Sequence, residues 1–149
     1  MSTAEFTEYL HRNIPLTAAM QLRVTGSGEG RIELLAPLQP NRNHQSSAFG
    51  GSLATLAIVS GWALLQQELR RVGLEARIVI QRSECDFVEP VEAEFTAHCD
   101  LPAAEWERFL AMLRKRGRAR ITLHSSLGSA GREVVRHSGT FVALTGSPA

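Results

Sequence analysis

The stretch that decides the fold is residues 52–72, SLATLAIVSGWALLQQELRRV, which Gly73 follows. Drawn as a helix, its first half places Leu56 and Leu64 on one face and Trp62 on the opposite face, so that apolar side chains surround it. A helix that is apolar all round is buried on every side. Its apolar part is about 13 residues long, too short to cross a bilayer. We therefore expect a central helix covered by a sheet.

Six segments with strand character flank this helix in the sequence. They are residues 20–25, 31–36, 77–88, 91–99, 118–125 and 133–144. The first alternates apolar and polar residues, the period of a half-buried strand. Short turns, such as the glycine-rich residues 26–30, separate the members of each pair, which favours antiparallel pairing. Because only Glu89 and Pro90 separate segments 77–88 and 91–99, we expect these two strands to be neighbours.

Two shorter helices complete the order of elements, one over residues 5–13 and one over 100–116. Asp100 is the expected N-cap of the second, and Gly117 is its expected stop. The order is helix, two strands, long helix, two strands, short helix, two strands. It predicts an α+β hotdog fold: an antiparallel sheet of about six strands wrapped around a long central helix, with an extra short helix between strands 4 and 5. We expect residues 1–149 to form one such domain.

Composition narrows the functional classes. The chain has 149 residues, 44% of them hydrophobic and 21% charged, with a net charge of +1, which argues against general nucleic-acid binding. Cys85 and Cys99 are too few for a disulfide framework or a zinc site, so we expect no metal and a reducing, cytoplasmic location. The first 12 residues lack the features of a signal peptide, and we expect no membrane insertion.

The loop before the long helix carries a recognisable motif. Residues 43–53 read NHQSSAFGGSL, residues 60–62 read SGW, and residues 85–91 read CDFVEPV. Together these segments resemble the YiiD-type thioesterase domain of the hotdog thioesterase superfamily, and the resemblance covers nearly the whole chain. It implies a hotdog fold, an acyl thioester as substrate, no cofactor other than the CoA of that substrate, and a second copy of the chain that closes the site.

One departure concerns the catalytic acid. The wider family that hydrolyses phenylacetyl-CoA-like thioesters is similar but has His-Gly-Gly where this chain has Phe49, Gly50 and Gly51. In that family an upstream Asn orients water or substrate, and Asn43 falls at the matching place. The family also has an acidic residue two turns into the helix. Ile58 stands at that position here, so the usual acid is absent.

The chemistry of thioester hydrolysis selects the candidate residues. Negative charge develops on the carbonyl oxygen, and the backbone N–H groups of Gly50 and Gly51 at a helix start are suitable donors to it. Asn43 could hold water or the thioester, or simply cap its own loop. His44 is the one histidine in this loop, and histidine is the residue type that most often acts as a general base, but a structural loop histidine is the alternative. Beside the glycines, Phe49 and Ser52 are expected substrate contacts.

Further candidates lie away from this loop. Ser60, two turns along the helix, either faces the same cleft or bonds the preceding turn. Glu84 and Asp86 lie on the strand that approaches the partner's helix start in related dimers, where either would supply the missing acid or contact substrate; surface exposure is the alternative. A basic cluster would grip the phosphates of CoA, although helix-end charges explain part of it. Its members are Arg114, Lys115, Arg116, Arg118 and Arg120.

Three functions remain open from the sequence. The first is hydrolysis of an acyl-CoA or acyl-carrier-protein thioester by activated water in a homodimer or a dimer of dimers. The second is a non-catalytic acyl-CoA binding module, which Ile58 in place of an acid keeps open. The third is hotdog hydratase or dehydratase chemistry, which is disfavoured because His44 lacks an acidic neighbour.

Overall fold

The computed structural model describes residues 1–146, which contain four α-helices and one six-stranded sheet. The helices are α1 (Thr3–Asn13), α2 (Pro15–Ala19), α3 (Gly50–Arg71) and α4 (Ala103–Arg116). The strands are β1 (Arg23–Gly28), β2 (Arg31–Ala36), β3 (Arg77–Phe87), β4 (Phe95–Asp100), β5 (Arg118–Ser129) and β6 (Arg132–Leu144). A short 3-10 turn covers Gln39–Asn41. None of the helices in residues 1–146 combines the length and the apolar character needed to cross a bilayer.

The sheet is antiparallel throughout, in the order β1-β2-β4-β5-β6-β3. It lies against α3, so the predicted α+β hotdog architecture is confirmed, including the extra helix α4 between strands 4 and 5. The predicted pairing of the third and fourth strands is wrong. β4 lies between β2 and β5, while β3 forms the far edge beside β6. The connection between Phe87 and Phe95 crosses to another part of the sheet, and Val91 within it is buried.

Helix α3 is the centre of the core. Leu56, Leu64 and Leu65 are fully buried, and α3 contacts β2, β3, β4, β5 and β6. Its approach to the sheet is close at Gly61, where a Cβ atom would lie 2.7 Å from the ring of Phe141 on β6. Only a residue without a side chain allows this distance. The predicted helix at 52–72 begins two residues earlier, at Gly50, and ends at Arg71.

Several element boundaries differ from the predictions. Pro15 occupies the first turn of α2, where its missing N–H costs nothing. β1 begins only at Arg23 and continues through Gly28 past a bulge after Val24. Asp100 is not the N-cap of α4, because it still belongs to β4; the cap position is Pro102, which provides no side-chain hydrogen bond. Gly117 ends α4 in the left-handed conformation, as predicted.

Substitution of Gly61 by Ala tests the close packing of α3. The added methyl group must displace the buried Phe141 ring, and this overpacking outweighs the better helix propensity of alanine. We expect the free energy of unfolding to fall by about 1–2 kcal/mol in chemical denaturation.

The control is Phe141→Leu, which removes the ring atoms that the methyl group meets. The double variant Gly61→Ala/Phe141→Leu should lose less stability than the sum of the two single variants. Simple additivity would show that the two residues do not compete for space.

Candidate functional site

Unsatisfied backbone donors mark the start of α3. Phe49 is the N-cap, in extended conformation, and its carbonyl accepts the N–H groups of Ser52 at 2.9 Å and Leu53 at 3.1 Å. The N–H groups of Gly50 and Gly51 have no acceptor among residues 1–146. No acidic residue lies in the first turn. The positive end of the helix dipole is therefore not neutralised, and the two amides are available to an anionic or carbonyl oxygen.

Two exposed phenylalanine rings flank these amides. The ring of Phe49 lies over Gly51, so closely that a Cβ atom there would collide with it. On the other side, a Cβ atom at Gly50 would lie 3.7 Å from the ring of Phe87, at the end of β3. Phe49 and Phe87 are 57% and 54% exposed, high values for rings of this size. The glycines thus sit between two apolar surfaces that an acyl or thioester group could contact.

The backbone before α3 is held by residues that do not face the amides. The N–H of Phe49 donates to the carbonyl of Asn41 at 2.7 Å, and the N–H of Ala48 donates to the carbonyl of Val91 at 2.7 Å. The buried side chain of Asn41 donates in turn to the carbonyls of Met20 at 2.9 Å and Pro37 at 2.8 Å. Sequence analysis missed the positioning role of Asn41, because its contact with Met20, 21 residues away, is formed only in the folded chain.

Asn43 organises its own loop. Its Oδ1 accepts the N–H groups of Gln45 at 2.8 Å and Ser47 at 3.2 Å, and its Nδ2 donates to Ser47 Oγ at 2.9 Å. These bonds form a turn in which Ser46 has a positive φ of 63°. This is the capping alternative raised from the sequence. His44 projects from the same turn with an exposed side chain.

Ser60 is not brought to the glycines. It lies nine positions beyond Gly51 on α3, about 14 Å along the helix axis. Its hydroxyl is fully buried and donates to the carbonyl of Ala57 at 2.7 Å, so the 2.8 Å contact with Ser125 Oγ is one that Ser60 accepts. Ile58, where the related family has its acid, is half-buried on α3.

A row of polar side chains crosses the sheet beneath α3. Cys99, Ser125, His137 and Cys85 are paired in register across β4, β5, β6 and β3. Burial raises the pKa of the Cys99 thiol to about 11, and burial, followed by the nearby carboxylate of Asp86, raises the pKa of the Cys85 thiol. Burial also lowers the pKa of His137, with a smaller contribution from His124. Each shift favours the neutral form of its group.

His137 has a hydroxyl partner on the edge strand. Its Nε2 lies 2.8 Å from the Oγ of Ser83, whose residue is exposed. Gly139 makes room for the imidazole, because a Cβ atom there would lie 2.8 Å from its Cε1 atom. A neutral imidazole beside a serine hydroxyl is an arrangement that can activate the hydroxyl or a water. Sequence reasoning missed this pair because 54 residues separate its members.

Glu84 and Asp86 point away from α3. Phe87 and Cys85 face the helix side of the sheet, and side chains alternate along a strand, so the two acids occupy the outer face. Both are exposed, and Glu84 pairs with Arg82. Ser52, in contrast, lies in the first turn of α3 with a half-buried side chain. The structure therefore groups Phe49, Gly50, Gly51 and Ser52, and separates them from the acids.

A central helix wrapped by an antiparallel sheet, with uncapped glycine amides at the helix start, defines a hotdog-fold protein. The chain belongs to the family described as "Putative thioesterase (yiiD_Cterm)", whose sequence model matches residues 3–145.

Solved structures of similar fold support this architecture. A protein of unknown function from Chlorobaculum tepidum superposes with a TM-score of 0.87 at 24% identity, over 97% of this chain and 94% of that one. A putative thioesterase from Shewanella oneidensis gives 0.87 at 22% identity, over 96% and 97%. A Pseudomonas aeruginosa protein described as a "probable thioesterase" gives 0.85 at 20% identity, over 98% and 97%. At these identities the likeness shows the fold alone.

Burial of His137 makes stability depend on pH. Its pKa lies below the ordinary 6.5 in the folded chain, so the unfolded chain takes up the proton first as the pH falls. The contribution of neutral His137 is complete above pH 6.5 and is lost as the pH falls below it. We expect the free energy of unfolding of the wild type to fall more steeply in acid than that of His137→Gln.

The comparison isolates one group, because the variant retains the other four of the five histidines. At neutral pH its stability should stay within about 1 kcal/mol of the wild type, because the glutamine amide can replace Nε2 as the partner of Ser83. Urea titrations across this pH range measure both effects. Parallel pH profiles would show that the imidazole of His137 is not desolvated.

Proposed function

We propose that this protein hydrolyses an acyl thioester, carried by CoA or by an acyl carrier protein, at the start of α3. The observation that carries the proposal is the pair of unoccupied amides of Gly50 and Gly51 at the positive end of a 22-residue helix. Water attacks the thioester carbonyl carbon, the C–S bond breaks, and the products are a carboxylic acid and a free thiol. The amides stabilise the oxyanion that forms between these steps.

The rings of Phe49 and Phe87 support this assignment. They expose apolar surface on both sides of the amides, where the carbon chain of a thioester would lie. They also exclude water from one side of the developing oxyanion, which strengthens its hydrogen bonds. The half-buried Ser52 follows directly and is a further substrate contact in this proposal.

The imidazole of His44 is the candidate for the base that removes a proton from water. His44 lies in the loop before α3 and is exposed to solvent. His137 is in register with Ser125, which contacts Ser60, so it lies level with Ser60 along α3 and away from the amides of Gly50 and Gly51. The Asn43 amide is engaged within the loop, so its part in the proposed reaction is to hold His44 and the backbone before Phe49.

A second copy of the chain belongs to this proposal. The 11-residue β3 has β6 as its strand neighbour in the described residues, which leaves its other edge open. Val79, Phe87 and Val88 are large apolar residues exposed on or beside this strand. A long open edge with exposed apolar residues is a template for pairing with another strand. We therefore propose a homodimer formed through β3, which would enclose the amides between subunits; dimers of dimers are compatible with it.

The substitution Gly50→Pro tests whether the amide at the start of α3 takes part in the reaction. Gly50 is the first residue of α3, and Phe49 before it is extended, so Pro fits this position while removing the N–H. Gly50→Ala keeps the donor, and its Cβ would be in ordinary contact with Phe87. We expect Gly50→Pro to reduce release of free thiol from acyl-CoA substrates roughly 100- to 1000-fold relative to Gly50→Ala.

The same thiol-release assay, run over short, medium and aromatic acyl groups and combined with a titration of acyl-CoA binding, decides between hydrolysis and binding without turnover. Equal activity of Gly50→Pro and Gly50→Ala would show that the Gly50 amide takes no part in the reaction. Stoichiometric binding of acyl-CoA with no turnover in the wild type would select the binding-module function, which Ile58 in place of an acid favours. Loss of turnover in His44→Ala, with the fold retained, identifies the imidazole of His44 as the group that receives the proton.

A charge on the open edge tests the dimer. Val79→Lys places on β3 the residue type that natural edge strands use against pairing. We expect wild-type protein to sediment as a dimer or larger at micromolar concentration and Val79→Lys to shift towards monomer. Val72→Lys is the matched control, an exposed valine beyond the end of α3 that should leave the size unchanged. A monomeric wild type would contradict a shared site.

A further inference from the structure

A groove lies on the other side of the sheet from α3. It has a volume of ≈ 820 Å³ and runs between α4 and the outer face of β5. Arg118 and Arg120 are exposed on β5 and alternate with the buried Ala119 and Ile121, which places their side chains on this outer face. Cavities of this size are typical of small-molecule sites.

Four guanidinium groups line the groove. They belong to Arg108 and Arg116 of α4 and to Arg118 and Arg120 of β5. The carboxylate among the lining residues is that of Glu105, which lies 3.9 Å from Arg108. The other three arginines have no ion-pair partner in the part of the chain that the structure describes. The groove therefore holds a strong excess of positive charge that an anion would balance.

Only some members of the basic cluster identified in the sequence line this groove. Arg116, Arg118 and Arg120 line it, whereas Arg114 and Lys115 belong to the exposed last turn of α4 and do not. Charges that only complement the dipole of α4 would lie in its last turn, and the dipole gives no reason for charges in a groove or on a neighbouring β-strand. The dipole of α4 therefore does not explain the two arginines of β5. Together with Arg116 they form a set of cations specific to the groove, distinct from Arg114 and Lys115.

An apolar surface lies beside the arginines. Phe109 and Val142 contribute to the lining, and Met112 is 44% exposed there. A small inorganic anion would use the guanidinium groups but leave this surface in water. The combination fits a ligand with both a phosphate group and an apolar or aromatic part, because arginine binds phosphate oxygens through paired donors while the apolar part covers Met112.

We propose that this outer groove is a binding site for an organic phosphate, that is, a phosphate ester attached to an apolar or aromatic group. Arg118 and Arg120 bind the phosphate oxygens, and Met112 contacts the apolar part. The site lies across the sheet from Gly50 and Gly51, so the proposal does not depend on thioester hydrolysis. A nucleotide and a lipid phosphate share this chemistry, and the choice of probe separates them.

Calorimetric titration of the full chain tests the proposal. The probes are adenosine 5′-diphosphate, lysophosphatidic acid in monomeric form, and inorganic phosphate. We expect one of the two organic phosphates to bind with 1:1 stoichiometry and inorganic phosphate to bind at least tenfold more weakly. The organic probe that binds identifies the source as a nucleotide or a lipid. Equal binding of inorganic phosphate, or binding of none of the three, would overturn the proposal.

Two variants with equal loss of charge separate a specific site from general attraction. Arg118→Gln/Arg120→Gln removes two cations of the groove, and Arg114→Gln/Lys115→Gln removes two cations outside it. We expect the first to weaken binding by roughly 100-fold, about tenfold per charged hydrogen-bond donor, and the second by less than about threefold. Equal weakening by both double variants would show that binding depends on general positive charge and not on the groove, and would overturn the assignment.

Met112→Ser tests the apolar contact separately. The side chain is exposed, so this substitution should leave the thermal unfolding temperature unchanged. We expect it to weaken binding of the organic phosphate several-fold and to leave the weak binding of inorganic phosphate as it was. A loss of the same size for both ligands would show that the apolar surface makes no contact with the ligand.

Discussion

Burial of α3 on nearly every side is the constraint on which the rest of the structure depends. Its leucines at 56, 64 and 65 are fully enclosed, and each contributes about 2 kcal/mol through removal from water. No single flat surface can cover such a helix, so the sheet extends from β1 to β3 and contacts it through five strands. Gly61 lets the helix approach the Phe141 ring closely.

The start of this buried helix has backbone N–H groups without hydrogen-bond acceptors. An α-helix leaves its first N–H groups without internal partners, and burial of the helix body does not change that. Here the partner of the Phe49 N–H is the carbonyl of Asn41, while Gly50 and Gly51 meet only the flanking rings. The absence of side chains at both positions lets another molecule approach the amides. The packing requirement of the core and the geometry proposed for the reaction thus coincide at one helix end.

The sheet separates two kinds of chemistry. Its inner face carries apolar side chains and a neutral polar row, in which burial shifts the pKa values of Cys99 and His137 towards their uncharged forms. Its outer face carries the charges, including Arg118, Arg120, Glu84 and Asp86, where water solvates them. This division follows from alternation along each strand, and it explains why acids adjacent in sequence to Phe87 do not face the amides.

The sequence by itself determined the elements that depend on local patterns. The all-round apolar stretch predicted α3, alternation predicted the strands, Gly117 predicted the end of α4, and the Phe-Gly-Gly segment predicted the uncapped helix start. Only the tertiary structure decided that β4 pairs with β2 and β5, that Ser83 meets His137, and that the basic cluster divides between a groove and a helix end. Periodicity reports which side of an element is buried. It does not report which distant element covers that side, because that choice depends on how all the elements pack together.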